Sequence, residues 1–156
     1  MKINLDRIDK KILTLMQANA RISNLELSDQ VGLSPTPCSR RVKRLEESGL
    51  IDAHVTLLNT EALGLDLIAI IGISMDRHTP DRFEEFEKTI VCMPEVLECS
   101  VVTGQAADFL LKVVVKDMRH YEKFLLGQLT KLTGVTGVHS SFVLRQVISK
   151  TELPLD

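Results

Sequence analysis

Over the first sixty positions apolar residues return every three or four places, the repeat of helices that bury one face. Ile8, Ile12 and Leu15 set that stripe first. Asp6 stands ahead of them as an N-cap and Leu5 can fold back as a hydrophobic staple, which predicts a helix over about residues 7–19. A second start follows at Ser23, where Glu26 three positions on completes a capping box; Leu27 and Val31 carry the stripe until Gly32 stops it. Only Leu33 then precedes Ser34, a third N-cap, and Pro35 at the first helical position, where a missing N–H does no harm. Two short helices joined so tightly predict a helix-turn-helix. The third helix, about residues 35–48, turns Cys38, Val42 and Leu45 inward and ends at Gly49. Ile51, Ala53, Val55 and Leu57 then alternate with polar neighbours, predicting a half-buried strand and so the winged variant of the motif.

The remaining chain changes rhythm. An isoleucine-rich run over residues 65–75 predicts a strand. Thr79 and Pro80 then open a helix with Phe83, Phe86 and Ile90 inward, closed by Pro94. Residues 96–102 and 109–115 read as two strands joined by a turn around Gly104, short enough for an antiparallel hairpin. Asp117 caps a helix with Tyr121, Phe124, Leu125 and Leu129 inward. After Gly134 and Gly137 the run Phe142, Val143, Leu144 and Val147 predicts a last strand. The order β-α-β-β-α-β is ferredoxin-like, an antiparallel sheet with helices on one face. On the first strand Leu67, Ala69, Ile71 and Ile73 alternate with Ile68, Ile70 and Gly72, so both faces are apolar, and the uncovered one favours sheet-to-sheet dimerisation. The fold class is thus α+β: a winged helix-turn-helix domain over residues 1–58, a linker over 59–64, and a ferredoxin-like, RAM/ACT-like effector-binding and oligomerisation domain over 65–156.

Charge sharpens this division. Residues 1–58 carry 9 cations and 7 acids, the rest 10 and 14, so the first part is the better partner for a polyanion. Between Ser34 and Leu45 stand four cations (Arg40, Arg41, Lys43, Arg44) and no acid. A basic helix face can be merely solvated, but here it belongs to the second member of a tight helix pair, the element that enters a DNA groove. The DNA-binding candidates are therefore Ser34, Pro35, Thr36, Arg40, Arg41, Lys43 and Arg44.

Other chemistries find little support. Hydrophobic residues at 44% and charged ones at 26% describe an ordinary globular protein. No apolar run reaches the roughly 18 residues a membrane span needs, so a cytoplasmic location without membrane association is expected. Cys38, Cys92 and Cys99 lack Cys-x-x-Cys spacing and read as small buried hydrophobes. His54, His78, His120 and His139 are dispersed, with neither a metal-binding pair nor a phosphate loop or nucleophile elbow nearby. Neither an enzyme nor a metal or cofactor is expected, although the ferredoxin-like plan hosts many chemistries. An assembly module without DNA binding would need a degraded third helix, against the cations in place.

The segments LDRIDKKIL (residues 5–13), ARISNLELSDQVGLSPTPCSRRVKRLEESGLI (20–51) and TGQAADFLLKV (103–113) resemble the Lrp/AsnC family of transcription regulators over nearly the whole chain. The stretch VGLSPTPCSRRVKRLE is the most specific of these. The resemblance implies double-stranded DNA as a partner, a dimer built through the C-terminal sheets and assembled further into octamers, and an amino acid bound between dimers. It implies an effector site at Thr103, Gly104, Gln105, Asp108, Val135, Ser140 and Ser141, with an apolar effector such as leucine or methionine suiting Val135 and Phe142. The chemistry fits, since a glycine turn lets backbone N–H groups reach a carboxylate while an acidic side chain holds an ammonium; equally, Gly104 can simply make a turn that Asp108 caps. Three residues separate Gly104 from Asp108 where many relatives have two, so the pocket rim is altered; Thr133 also stands where a proline is common, a departure of little functional weight.

Overall fold

The computed structural model describes residues 4–104 and 107–155 and divides into two compact units. One holds the residues up to Leu57 together with Ile148–Asp156; the other is Leu58–Val147.

In the first unit α1 (Arg7–Ala18), α2 (Asn24–Val31) and α3 (Pro35–Glu47) follow the predicted order. Asp9 donates its backbone N–H to the Asp6 carboxylate at 2.8 Å and Asp6 returns one to Asp9 at 3.2 Å, a capping box that satisfies donors the first turn leaves open. Ser23 and Glu26 do the same for α2. Gly32, at φ 75°, takes the left-handed turn that lets α3 begin three residues later. Ser34 occupies the N-cap position without a side-chain bond; instead the Asn24 side chain donates to the Pro35 carbonyl at 2.9 Å and ties the two helix starts together. Ile12, Leu13, Leu27, Val31, Cys38 and Leu45 form the buried core.

Two expectations fail here. Residues 51–57 form no strand, and Val55 and Leu57 are exposed. Alternation needs a partner to become a ladder, and none is offered among the described residues. The tail was assigned to the second domain, yet Ile148–Asp156 belongs to the first unit. Leu155 packs on the helical core. Gln17 and Leu153 exchange hydrogen bonds, Leu153 N–H donating to Gln17 Oε1 at 2.7 Å and Gln17 Nε2 to the Leu153 carbonyl at 3.1 Å.

The second unit runs β1 (Leu67–Met75), α4 (Pro80–Ile90), β2 (Val96–Val101), β3 (Phe109–Val115), α5 (Met118–Gly127) and β4 (Val135–Phe142), with short 3-10 turns at Glu61–Leu63 and Leu129–Lys131. The sheet order is β2-β3-β1-β4, antiparallel throughout, with β1 between β3 and β4. Ala69, Ile71, Ile73, Phe109, Leu111 and Val113 face the helices and bury against Phe86, Ile90, Tyr121 and Phe124. Each of the phenylalanines contributes about 1.5–3 kcal/mol by leaving water. Ile68, Ile70 and Gly72 lie half-buried on the other face, opposite the helices of this unit among the described residues. Gly134, at φ 86°, has the one glycine position with no room for a side chain as well: an added Cβ would lie 2.6 Å from Arg82 Cδ, where Arg82 pairs with Asp76 at 3.1 Å.

The last strand begins seven residues earlier than its apolar run suggested. Its ladder with β1 runs from Val135 to Phe142, whereas Leu144 and Val147 stand exposed. Hydrophobicity pointed to residues 142–147, but pairing with β1 selected the polar stretch before them. Cys38 is fully buried as expected; Cys92 and Cys99 are exposed.

Candidate functional site

On α3 the inward face is Cys38, Val42 and Leu45, which leaves Ser34, Pro35, Thr36, Arg40, Lys43 and Arg44 exposed. The four cations are not equivalent. Arg41 is drawn inward: its Nη1 donates to Asp6 Oδ2 at 2.6 Å and to Asp9 Oδ1 at 2.8 Å. Arg44 donates through Nη2 to Asp9 Oδ2 at 2.5 Å while the rest of its guanidinium stays in solvent. Lys43 faces Glu47 one turn on at 3.7 Å. Arg40 makes no ion pair among the described residues. Of the four cations expected to face DNA, Arg41 differs in being held through its Nη1 by Asp6 and Asp9.

Asp9 was missed as part of this site. Its side chain is 1% exposed, and both oxygens are occupied by arginines of α3. The sequence held one signal: an acid four residues before buried Leu13 lies on the apolar stripe of α1, where a charge must be paired. The backbone N–H of Asp9, and after it the Arg41 guanidinium, hold the Asp6 carboxyl below its ordinary value. Asp6, then Asp9, raise that of Arg41 in return. Burial pushes up the Cys38 thiol, and partial desolvation on the exposed face, with the Glu87 charge, pushes up that of Cys99, so neither is an activated thiolate.

The effector candidates divide as well. Thr103, Gly104 and Asp108 stand together at the β2–β3 turn; Gln105 lies outside the described residues. Asp108 accepts the Met75 N–H at 2.7 Å through Oδ2 and lies 2.7 Å from His78 Nε2 through Oδ1. Its backbone N–H reaches the Ile73 carbonyl at 2.8 Å, so the turn is fastened to the end of β1. Val135 opens β4 directly opposite Met75. Gly104 is not in a left-handed conformation and has open space beside its Cα, so the backbone there does not require glycine. Ser140 and Ser141 point to opposite faces: Ser140 shares a hydrogen bond with Tyr121 on the helix side, while Ser141 pairs with Ile70 toward the uncovered face. They cannot line one wall together. An open cleft of about 400 Å³ lies between the end of α4 and β2, walled by Ile90, Val91, Val96 and Phe109, and none of the effector candidates lines it.

Residues 5–52 match the family described as winged helix-turn-helix DNA-binding, and residues 68–153 the family described as Lrp/AsnC ligand binding domain. The chain is 47% identical to the leucine-responsive regulatory protein of Haemophilus influenzae, over 92% of this chain and 86% of that one. It is 43% identical to that of Escherichia coli K12, over 96% and 91%. Among solved structures, a transcriptional regulator from Neisseria meningitidis in complex with L-Met superposes with a TM-score of 0.94 at 41% identity over 98% of both chains. An AsnC family regulator from Agrobacterium tumefaciens gives 0.90 at 33% identity, covering 96% of this chain and 97% of that one.

Proposed function

The chain belongs to the Lrp/AsnC family of DNA-binding transcription regulators with an amino-acid-binding domain, and on that footing we propose that an apolar amino acid, methionine or leucine, controls its assembly and its grip on DNA. One observation carries the reading: a helix-turn-helix with a cationic second helix and a ligand-binding βαββαβ unit stand in one chain. The relatives are named as regulators, which sets the enzyme reading aside. The regulator that resembles this one at 41% identity was solved with L-Met, which supports an apolar effector.

In this reading α3 enters the major groove. Ser34, Pro35 and Thr36 lead, Arg40 reads a base edge, and Lys43 and Arg44 meet phosphates. The effector carboxylate meets backbone N–H groups of Thr103 and Gly104, and its ammonium meets Asp108 beside His78. Val135, opposite Met75, borders the same end of the sheet, and Ser141 lies farther along β4 beside Ile70. A second copy covers Ile68 and Ile70, and dimers assemble into an octamer whose contacts complete the effector site. The protein acts in the cytoplasm; among the described residues no helix is long and apolar enough to cross a membrane.

The test is a titration of the purified protein against its own upstream promoter DNA with random DNA as competitor, with and without each amino acid, alongside sedimentation. Competitor-resistant binding and a sedimentation coefficient that methionine or leucine changes are expected. Binding and assembly unmoved by every amino acid would remove the effector reading and leave the DNA-binding one.

A further inference from the structure

We propose that Asp9 sets the strength and salt dependence of this regulator's DNA binding without touching DNA, by withholding Arg41 from phosphates and fixing the stem of Arg44. The proposal rests on α3 being the DNA-contacting helix and concerns which of its cations are free to act.

A carboxylate inside an apolar helix packing is expensive unless paired. Asp9 is so placed, and its pairing is complete: Oδ1 accepts from Arg41, Oδ2 from Arg44 and from the Asp6 backbone N–H. A leucine would fill such a position at no electrostatic cost, so what the acid adds is its hold on two arginines. Arg41 is gripped twice, by Asp6 as well, and only 27% of its side chain is exposed. Arg44 is gripped once, with 58% exposed, and keeps outward N–H groups on a fixed stem.

The consequence follows from how cations act on DNA. Each one placed on a phosphate strengthens binding to every sequence alike, whereas specificity comes from base contacts. Four unrestrained cations on α3 would raise affinity for random DNA as much as for an operator. An acid beneath the helix subtracts from this common term, so it lowers affinity and salt dependence on operator and random DNA alike and leaves the base-reading term intact. Removing that acid should therefore make the protein bind random DNA more tightly, the opposite of what loss of a structural residue does.

The experiment measures the salt dependence of binding to an operator duplex and to a random duplex of equal length, using the full chain. Asp9→Asn should steepen the random-DNA salt slope by about 1 to 2, given roughly 0.9 per phosphate neutralised. It should also tighten binding to the operator and to random DNA by the same factor, leaving the preference between them unchanged. Asp6→Asn removes one of Arg41's two partners and keeps a capping side chain, so it should move the same quantities less. Arg41→Gln alone should leave the random-DNA slope unchanged, and combined with Asp9→Asn it should reverse part of the gain. A packing role for Asp9 would instead weaken both DNAs together, and Arg41→Gln would not rescue it. Random-DNA slopes unchanged or shallower in both acid variants overturn the proposal, as does a slope lost in Arg41→Gln alone. Should Asp9→Asn fail to fold, the other two single variants decide. If Arg40→Ala, Lys43→Ala and Arg44→Ala all leave operator binding intact, the placement of α3 on DNA is what has failed.

Discussion

Arg40 and Asp108 show how much a single side chain can carry in each unit. Arg40 is the exposed cation of α3 with no ion pair among the described residues, so its fork is available to a base edge. Arg40→Ala should cost about 1–3 kcal/mol of discrimination between operator and random DNA if the contact is bidentate. Competition titrations read this directly, and equal losses on both DNAs would mark a phosphate contact instead. Asp108 already holds the Met75 N–H and faces His78, so replacing its charge should leave the turn in place while weakening the hold on an ammonium. Asp108→Asn should lower effector affinity by a factor of about 10–100, the value of a charge-assisted hydrogen bond. Calorimetry with methionine would measure it. At this scale the sequence was legible where a local rule applied: Cys38 and Leu45 inward, Asp6 and Ser23 as caps. It was opaque for Asp9, because Arg41 and Arg44 lie 32 and 35 positions away and no local spacing announces partners so distant. Ser140 and Ser141, both effector candidates by resemblance, face opposite sides of the sheet, as adjacent strand residues do.

Helices were read almost to the residue because their signals are internal to them. The Asp6 cap, the Ser23 and Glu26 capping box and Gly32 were visible, and α1, α2 and α3 follow them. Strands need a partner, and that is where the reading slipped: 51–57 alternates without pairing, and β4 pairs through its polar half. The caps also predict a response to acid. The Asp6 and Glu26 carboxyls lie below their ordinary values of 3.8 and 4.5, Glu26 chiefly through the Ser23 hydroxyl and then its N–H. A group lowered in the folded state stabilises above its unfolded value and loses that contribution as pH falls through the folded one. Helix content should therefore hold at neutral pH and decline below about pH 4, the range set by these two carboxyls. Ser23→Ala should cost about 0.5–2 kcal/mol at neutral pH and flatten the Glu26 part of the acid transition. Circular dichroism against denaturant at several pH values would test both.

For the molecule as a whole, the division into an α-helical and an α+β unit was legible from the change of hydrophobic rhythm, but the membership of the tail was not. Residues 148–156 carry no strong pattern, and their place depends on Leu155 and on the Gln17 and Leu153 exchange. Deleting the chain after Val147 should destabilise the first unit by about 1–3 kcal/mol, the sum expected of two hydrogen bonds and a half-buried leucine. The second unit should melt unchanged in the same calorimetric scan. On the proposed sheet-to-sheet pairing, Ile70→Asp on the uncovered face should lower the sedimentation coefficient without unfolding the sheet. The tail has one more effect, on time. The bond between Gln17 and Leu153 closes a loop of 136 positions, so the helices it braces leave the ribosome well before their brace exists. At translation rates of roughly 5–20 residues per second, the interval for the intervening unit is on the order of 5–20 s. Throughout that interval the nascent helix-turn-helix stands on its three helices alone, and co-translational capture of DNA would precede the completion of the very unit that binds it.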